Sequence, residues 1–503
     1  MGDIERRTLL AAGLAAAASG LTGCDDKKPP VRGASDGTPR PFVVPQRAWA
    51  AFEESLDGDL VRPGERGFRS AKLLYNPRFD PVRPRAVVRA ASSQDVVEAI
   101  RFAQRHGLPL VPRSGGHSYV GASTVQAGIQ LDLRALHDVR PDGHHVHAGA
   151  GARLFDVHAA LERRERTLPT GTCPTVGATG LTLGGGNGVE SRAYGLTCDA
   201  LTEVELVTAD GRVRIVSSTE DPDLFWACKG GGGGSFGVAT RLTYRTFPAD
   251  TVGFFFLYFD DADAAAVIRG WLRRQRRAPR SSWSNVHLDA QSGGGINLRI
   301  VGVSLTGDGH AEAAALERAI GVAPTNTSIF TRSHGEATKL LAGCSTLADA
   351  ECHLAPAGKL QRESFAAGSD VLAPGLRAVD AVVAQVRARG RAGRGGALIL
   401  DPLGGAVSDG TGAFPWRGAA AIAQWYVGLP ATASSSEVDS AYSWIRGGHR
   451  AFGSDSIGGY VNYLEPRRSS ADYFGTSLGR LRDVKRAVDP EDFFHTRWSI
   501  RPR

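Results

Sequence analysis

Six cysteines in 503 residues are too few for a disulfide scaffold of this size. The chain also lacks any apolar run of the ~20 residues that a transmembrane helix needs, so no segment is expected to span a bilayer. No repeat period accounts for its 63 glycines, which excludes a fibre and assigns the excess to ligand loops and tight turns. Charge is not concentrated: 59 basic and 52 acidic residues leave a net +7 spread along the chain, which is no nucleic-acid footprint. The densest basic run, Arg269 to Arg280, carries Trp271 and Leu272 between its arginines and reads as a helix with a solvated face. What is present is an ordinary 42% of hydrophobic residues, enough to bury a core in each of two domains. Of the cysteines, Cys198 and Cys228 read as small core residues. Cys344 and Cys352 are close enough in sequence to be bridged in an oxidising compartment.

The first 24 residues read as an address. Glu5-Arg6-Arg7 opens a twin-arginine leader with an Ala/Leu/Gly stretch behind it, and Leu21-Thr-Gly-Cys24 looks like a bacterial lipoprotein cleavage site. The expectation is export by the twin-arginine route with a lipid anchor at Cys24, in the cell envelope or beyond; the plainer alternative is that Cys24 simply ends the leader. Residues 25–60 read as a linker, with a flexible Pro- and Gly-containing stalk to about Arg40.

From Tyr75 the chain becomes periodic. Ser92 suits an N-cap ahead of Val96, Val97, Ala99, Ile100, Phe102 and Ala103, which share one helical face that Gly107 ends. Strands follow at Leu108–Val111, Ile129–Leu133 and Val146–Gly149, then a helix at about Leu154–Arg163. Leu201–Val207 and Val213–Ser217 form a hairpin through Ala209-Asp-Gly211. Beyond residue 250 the texture shifts to Phe-rich strand (Phe254–Phe259), helix (Ala262–Arg277) and strand (Ile296–Ser304). This alternation sets a domain over 61–250 apart from a second over 251–445.

Two stretches carry the chemistry. In Pro112-Arg113-Ser114-Gly115-Gly116-His117-Ser118-Tyr119, the paired glycines let backbone N–H groups approach a phosphate-bearing ligand. His117 at its edge could be a base, a metal ligand or a covalent anchor; no Cys, His or Asp stands nearby at ligand spacing. Downstream lies Gly171-Thr-Cys173-Pro-Thr-Val176-Gly177-Ala-Thr-Gly180-Leu-Thr-Leu-Gly184-Gly-Gly-Asn187-Gly188. Taken alone, Cys173 reads as a buried structural thiol. Gly184–Gly188 could pass for a dinucleotide fingerprint, but the following residues lack the amphipathic helix that a Rossmann unit requires. Gly230–Gly234 with Ser235, Gly237 and Val238 makes another loop where backbone can meet a cofactor, without the Gly-Lys-Ser/Thr order of a triphosphate loop.

At these motifs, and on to the C-terminus, the sequence resembles the berberine-bridge-enzyme-like oxidoreductases of the vanillyl-alcohol-oxidase superfamily. The resemblance implies an α+β fold: a two-part PCMH-type FAD-binding domain and an antiparallel-sheet substrate domain covered by helices. It implies FAD held bicovalently, with His117 on the flavin 8α-methyl and Cys173 on ring carbon C6, and Val176 at the position that goes with oxidases where Leu goes with dehydrogenases. Gly459-Tyr460-Val-Asn462-Tyr463 and the segment from Tyr473 to Phe494 resemble the family's C-terminal pattern, Tyr460 and Asn462 supporting the flavin and Tyr463 serving as catalytic base. That resemblance implies a return of 446–503 to the first domain. Tyrosine titrates near ~10 unperturbed, so a cation, hydrogen bonds or the flavin's polar edge should assist it. Gln424 matches the family strand that ends in an acid or amide facing substrate, and Trp416 stands where the family commonly has His. The implied activity is oxidation of a hydroxyl on a sugar, oligosaccharide or glycosylated metabolite, with O2 as acceptor, H2O2 as product and no metal. A dehydrogenase with another acceptor, an oxidative cyclase and a surface lipoprotein using the domain as a binding scaffold remain the alternatives.

Overall fold

The computed structural model describes residues 44–503; the leader, Cys24 and the stalk to Arg40 lie outside the described residues. A small sheet starts the chain, with strands Asp59–Val61, Ala86–Arg89, Ile129–Asp132 and Leu110–Arg113 adjacent in that order. The first pair is antiparallel and the others parallel. Helix Ser93–Arg105 covers this sheet because its apolar face is continuous, and its N-cap Ser92 accepts from Asp95 N as the sequence predicts. Next comes an antiparallel five-stranded sheet in the order Val139–Asp142, His145–Gly149, Val238–Arg245, Leu201–Val207, Val213–Ser217.

The expected 25–60 linker ends earlier than the sequence reading places it. Helix Gln46–Glu54 buries Trp49 and Phe52, and Phe52 stacks on Phe102 at 4.1 Å between ring centroids. A Trp and a Phe at helical spacing cannot stay in water when an apolar helix face lies alongside.

From Val252 onward an eight-stranded antiparallel sheet forms, ordered Asn326–Arg332, Val252–Phe259, Ile296–Ser304, Ser282–Ala290, Ala397–Pro402, Ala421–Gly428, Phe365–Leu372, Ser456–Gly458. Helices Ala264–Gln275, Gly309–Ile320, Val379–Arg391 and Ser435–Phe452 cover one face, contributing Trp271, Leu316, Val382 and Ile445 to a single core. The basic run divides as the sequence predicts: Trp271 is fully buried, while the Arg273 side chain runs over the surface to the Ala319 carbonyl. The other sheet face turns toward the first domain.

The C-terminal helix Leu478–Val488 ties back to the first domain through one buried cation. Lys485 Nζ, with no exposure, donates to Asp489 Oδ2 (2.6 Å), Phe494 O (2.7 Å) and Ser235 O (2.8 Å). The last contact pins the end of the Gly230–Gly234 loop, and the complete set of partners makes burying the charge tolerable. Cys344 and Cys352 form a disulfide, and Cys198 and Cys228 are buried. No helix among the described residues is long and apolar enough to cross a membrane.

Candidate active site

A cavity of about 510 Å³ separates the loops of the first domain from the open face of the large sheet. On one wall the two motif loops touch backbone to backbone: a Cβ on Gly115 would lie 2.2 Å from Gly177 N. That contact brings the two candidate anchors onto one cavity although 56 positions of sequence separate them. Thr175 stands between them, its hydroxyl 2.9 Å from His117 Nε2 and 3.9 Å from Cys173 Sγ. Tyr75 stacks on the His117 ring at 3.8 Å. Burial, reinforced by the Arg153 charge, lowers His117 to about 3, so its imidazole is neutral and nucleophilic. Burial raises the Cys173 thiol, which the Thr175 hydrogen bonds partly oppose.

Ser114, Gly115, Gly116, Ser118, Val176, Gly177, Gly180, Asn187, Gly188, Gly237, Tyr460 and Asn462 also line the cavity, with His117, Cys173, Gln424 and Tyr463. Arg113, Gly184 and Val238 do not. Arg113 ends its strand and turns inward, pairing with Asp132 and donating to the carbonyls of Ala71 (2.7 Å) and Leu73 (2.8 Å); it supports the loop from behind. Gly184 caps helix Ala178–Leu183 and is covered by the Asn462 side chain. Val238 begins a strand and packs in the core with Val207. The Gly184–Gly188 turn follows that short helix rather than a strand, so the dinucleotide fingerprint has no structural counterpart.

The opposite wall is built at strand period. Strand Ser282–Ala290 presents Trp283, Asn285 and His287; Ala397–Pro402 presents Ile399 and Asp401; Ala421–Gly428 presents Gln424 and Tyr426. Gln424 Nε2 donates to Tyr119 OH at 2.6 Å, and Tyr119 stacks on Tyr463 at 5.0 Å with an interplanar angle of 3°. Among the described residues no cation or side-chain hydrogen bond assists Tyr463, which leaves that part to the flavin's polar edge. Burial first, then the Asp401 carboxylate and Tyr460, push its phenol well above the ordinary value. Asp401, partly buried in the sheet wall, is raised to about 6 by desolvation, and Asn285 Nδ2, donating at 3.0 Å, pulls it partly back. A carboxyl titrating there is a competent general base near neutrality. Sequence reasoning missed Asp401, along with Tyr75, Tyr119, Thr175, Asn285 and His287. Tyr119 and Thr175 sat inside the quoted motifs, and Asp401 ends the apolar run Ala397-Leu-Ile-Leu400, an acid closing a buried strand. Trp416, where the resemblance expects His, donates from Nε1 to Gly459 O at 2.9 Å and so braces the Tyr460 segment.

These residues suit FAD. Asn187 Oδ1 is a buried acceptor with no donor among the described residues, which a ring N–H or ribityl hydroxyl would satisfy. The loops around Gly115–Gly116 and Gly233–Gly234 bring backbone to the cavity where it can meet a pyrophosphate, and no lysine or arginine is among the described residues that line it.

Comparison with known proteins agrees with this geometry. A family model described as an FAD binding domain matches residues 84–217, and one described as berberine and berberine-like matches 459–501. An uncharacterized FAD-linked oxidoreductase of Bacillus subtilis, YgaK, is 30% identical over 464 residues, covering 89% of this chain and 97% of that protein. A xylooligosaccharide oxidase of Thermothelomyces thermophilus is 28% identical over 485 residues, covering 91% and 96%. Among solved structures, a chitooligosaccharide oxidase superposes with a TM-score of 0.82 at 24% identity over 91% of this chain and 100% of that one, a likeness of fold. The fold and cavity define a flavin-dependent oxidoreductase. More particularly, the chain belongs to the berberine-bridge-enzyme-like FAD-linked oxidoreductases, and FAD is its cofactor.

Proposed function

We propose that this enzyme is an oxidase with FAD joined to both His117 and Cys173, acting on a hydroxyl of a sugar, oligosaccharide or glycosylated metabolite. The observation that carries the reading is the convergence of His117 and Cys173 on one wall of the cavity, with Thr175 linking them from behind, opposite Asp401, Gln424 and Tyr463. Bound flavin supplies the hydride acceptor and, on reoxidation by O2, yields H2O2. The protein's own task is the proton, because a hydride leaves carbon readily only as the hydroxyl proton departs. Tyr463, held by its stack on Tyr119, contacts the substrate hydroxyl and relays its proton, and Asp401 holds that proton. Gln424 fixes the Tyr119 hydroxyl and through it the plane of Tyr463. The small side chain of Val176, in the cavity lining, would leave room for O2 to reach the bound flavin. Names of relatives that act on xylo- and chitooligosaccharides support a carbohydrate substrate.

Export by the twin-arginine route with a lipid anchor at Cys24 belongs to the same proposal. The Cys344–Cys352 disulfide supports it, since such bonds persist in oxidising compartments. The direct test of function is anaerobic bleaching of the flavin by a neutral oligosaccharide followed by peroxide release in air. No bleaching by any sugar would refute the substrate class.

A further inference from the structure

The cavity has a sign. None of its lining side chains is lysine or arginine, whereas two are carboxylates, Asp401 and Glu363. His117 and His287 are kept neutral by burial, with Arg153 and Arg299 behind them adding to the effect. His495 belongs to the C-terminal segment, not to the sheet. The two carboxylates lie on different parts of the wall. Asp401 sits beside Asn285 within the sheet; Glu363 is exposed at the rim, just ahead of strand Phe365–Leu372, and accepts from Tyr426 OH at 3.2 Å. Between them the floor is Gln424, Tyr426 and Ile399. A second, independent feature points to a ligand here: Trp283, 5% exposed, lines the cavity with an Nε1–H that has no acceptor among the described residues. A buried donor left unpaired is costly, and a hydroxyl or ring oxygen would satisfy it.

We propose that the cavity selects its substrate by charge, taking a hydroxyl compound that carries an ammonium group and rejecting one that carries a carboxylate, with Glu363 as the ammonium's partner at the rim. This rests on the reading that a hydroxyl is oxidised here. A uronate would have to share the cavity with Asp401 and would meet no lysine or arginine among the described lining residues. An ammonium meets the Glu363 carboxylate together with the Tyr426 hydroxyl oxygen beside it. The sugar oxygens of either would be met by Trp283 and Asn285.

The test compares a glucosamine trimer, a neutral glucose trimer and a glucuronate trimer on the FAD-loaded enzyme, in the native protein and in Glu363→Gln. Affinity is read from perturbation of the flavin absorbance and kcat/KM from O2 uptake. At low salt the amine trimer should bind roughly tenfold more tightly than the neutral one, and the glucuronate trimer at least roughly tenfold more weakly. In Glu363→Gln the amine-to-neutral ratio should fall to near one. Equal binding of glucuronate and neutral trimers, no measurable binding of the amine, or an amine preference that survives Glu363→Gln overturns the proposal. If the trimers bind in the expected order but none bleaches the flavin, the oxidase reading fails while charge selection stands.

Discussion

The two walls of the cavity are built in different ways. The loop wall takes its functional groups from short contiguous stretches, Pro112–Tyr119 and Gly171–Gly188, where backbone approach dictates glycine and chemistry dictates His117 and Cys173. The sheet wall takes two or three side chains from each of three strands spread over residues 282–428, at alternate positions whose facing depends on pairing. On the proposed function, the loop wall holds the cofactor and the sheet wall sets what is done to which substrate. Substitutions on the first should change flavin retention and folding. On the second they should change rate, pH profile and selectivity.

The largest effect expected is at Asp401. Asp401→Asn should lower kcat/KM by roughly 10²–10⁴-fold, the range for removing a general base, with flavin content unchanged. In the native enzyme kcat/KM should fall as pH drops through about 6, where the buried carboxyl takes up its proton, and this limb should vanish in the variant. The same substitution should stabilise the fold. Because the folded chain holds the Asp401 proton more tightly than the unfolded chain, ionisation costs stability once pH exceeds the unfolded value, in full above about 6. Melting at pH 8 should accordingly report a gain of about 1–3 kcal/mol. Loss of stability together with loss of flavin would erase the division between the walls.

Tyr463→Phe should lower the rate of anaerobic flavin bleaching by roughly 10–100-fold, as expected for a lost proton relay. An undiminished rate removes Tyr463 from the mechanism. On the loop wall, Gly115→Ala forces a Cβ to within 2.2 Å of a backbone nitrogen on the partner loop. Thermal or denaturant unfolding should show a loss of about 1–3 kcal/mol, with FAD content falling alongside. The smallest effect is sought at Val176→Leu: slower reoxidation of the reduced flavin in air, measured by stopped flow, with bleaching by sugar unaltered. Equal reoxidation in both proteins would remove the gate.

What was legible in the sequence follows the same division. Strand Ile296–Ser304 and the capped helix behind Ser92 were readable because periodicity and capping are local. The candidate anchors were readable because their motifs are contiguous, and they resembled a known pattern. Asp401, Asn285 and His287 were not, since nothing in a strand's own residues says which face meets a cavity until the neighbouring register is known. The acid acting on Tyr463 was not readable for the same reason: Asp401 comes from a strand some 60 positions away. Arg113 was misassigned because a motif gives position and not direction; the end of a strand can point away from the ligand that its loop serves. Helix Gln46–Glu54 was within reach, for Trp49 and Phe52 already stood at helical spacing.

Intact mass of acid-denatured, FAD-saturated protein tests the central claim most directly. The native chain and each single variant, His117→Ala and Cys173→Ala, should retain one FAD adduct through denaturation, and the double variant should lose it. A native polypeptide mass with no adduct would contradict the attachment of the flavin at both residues.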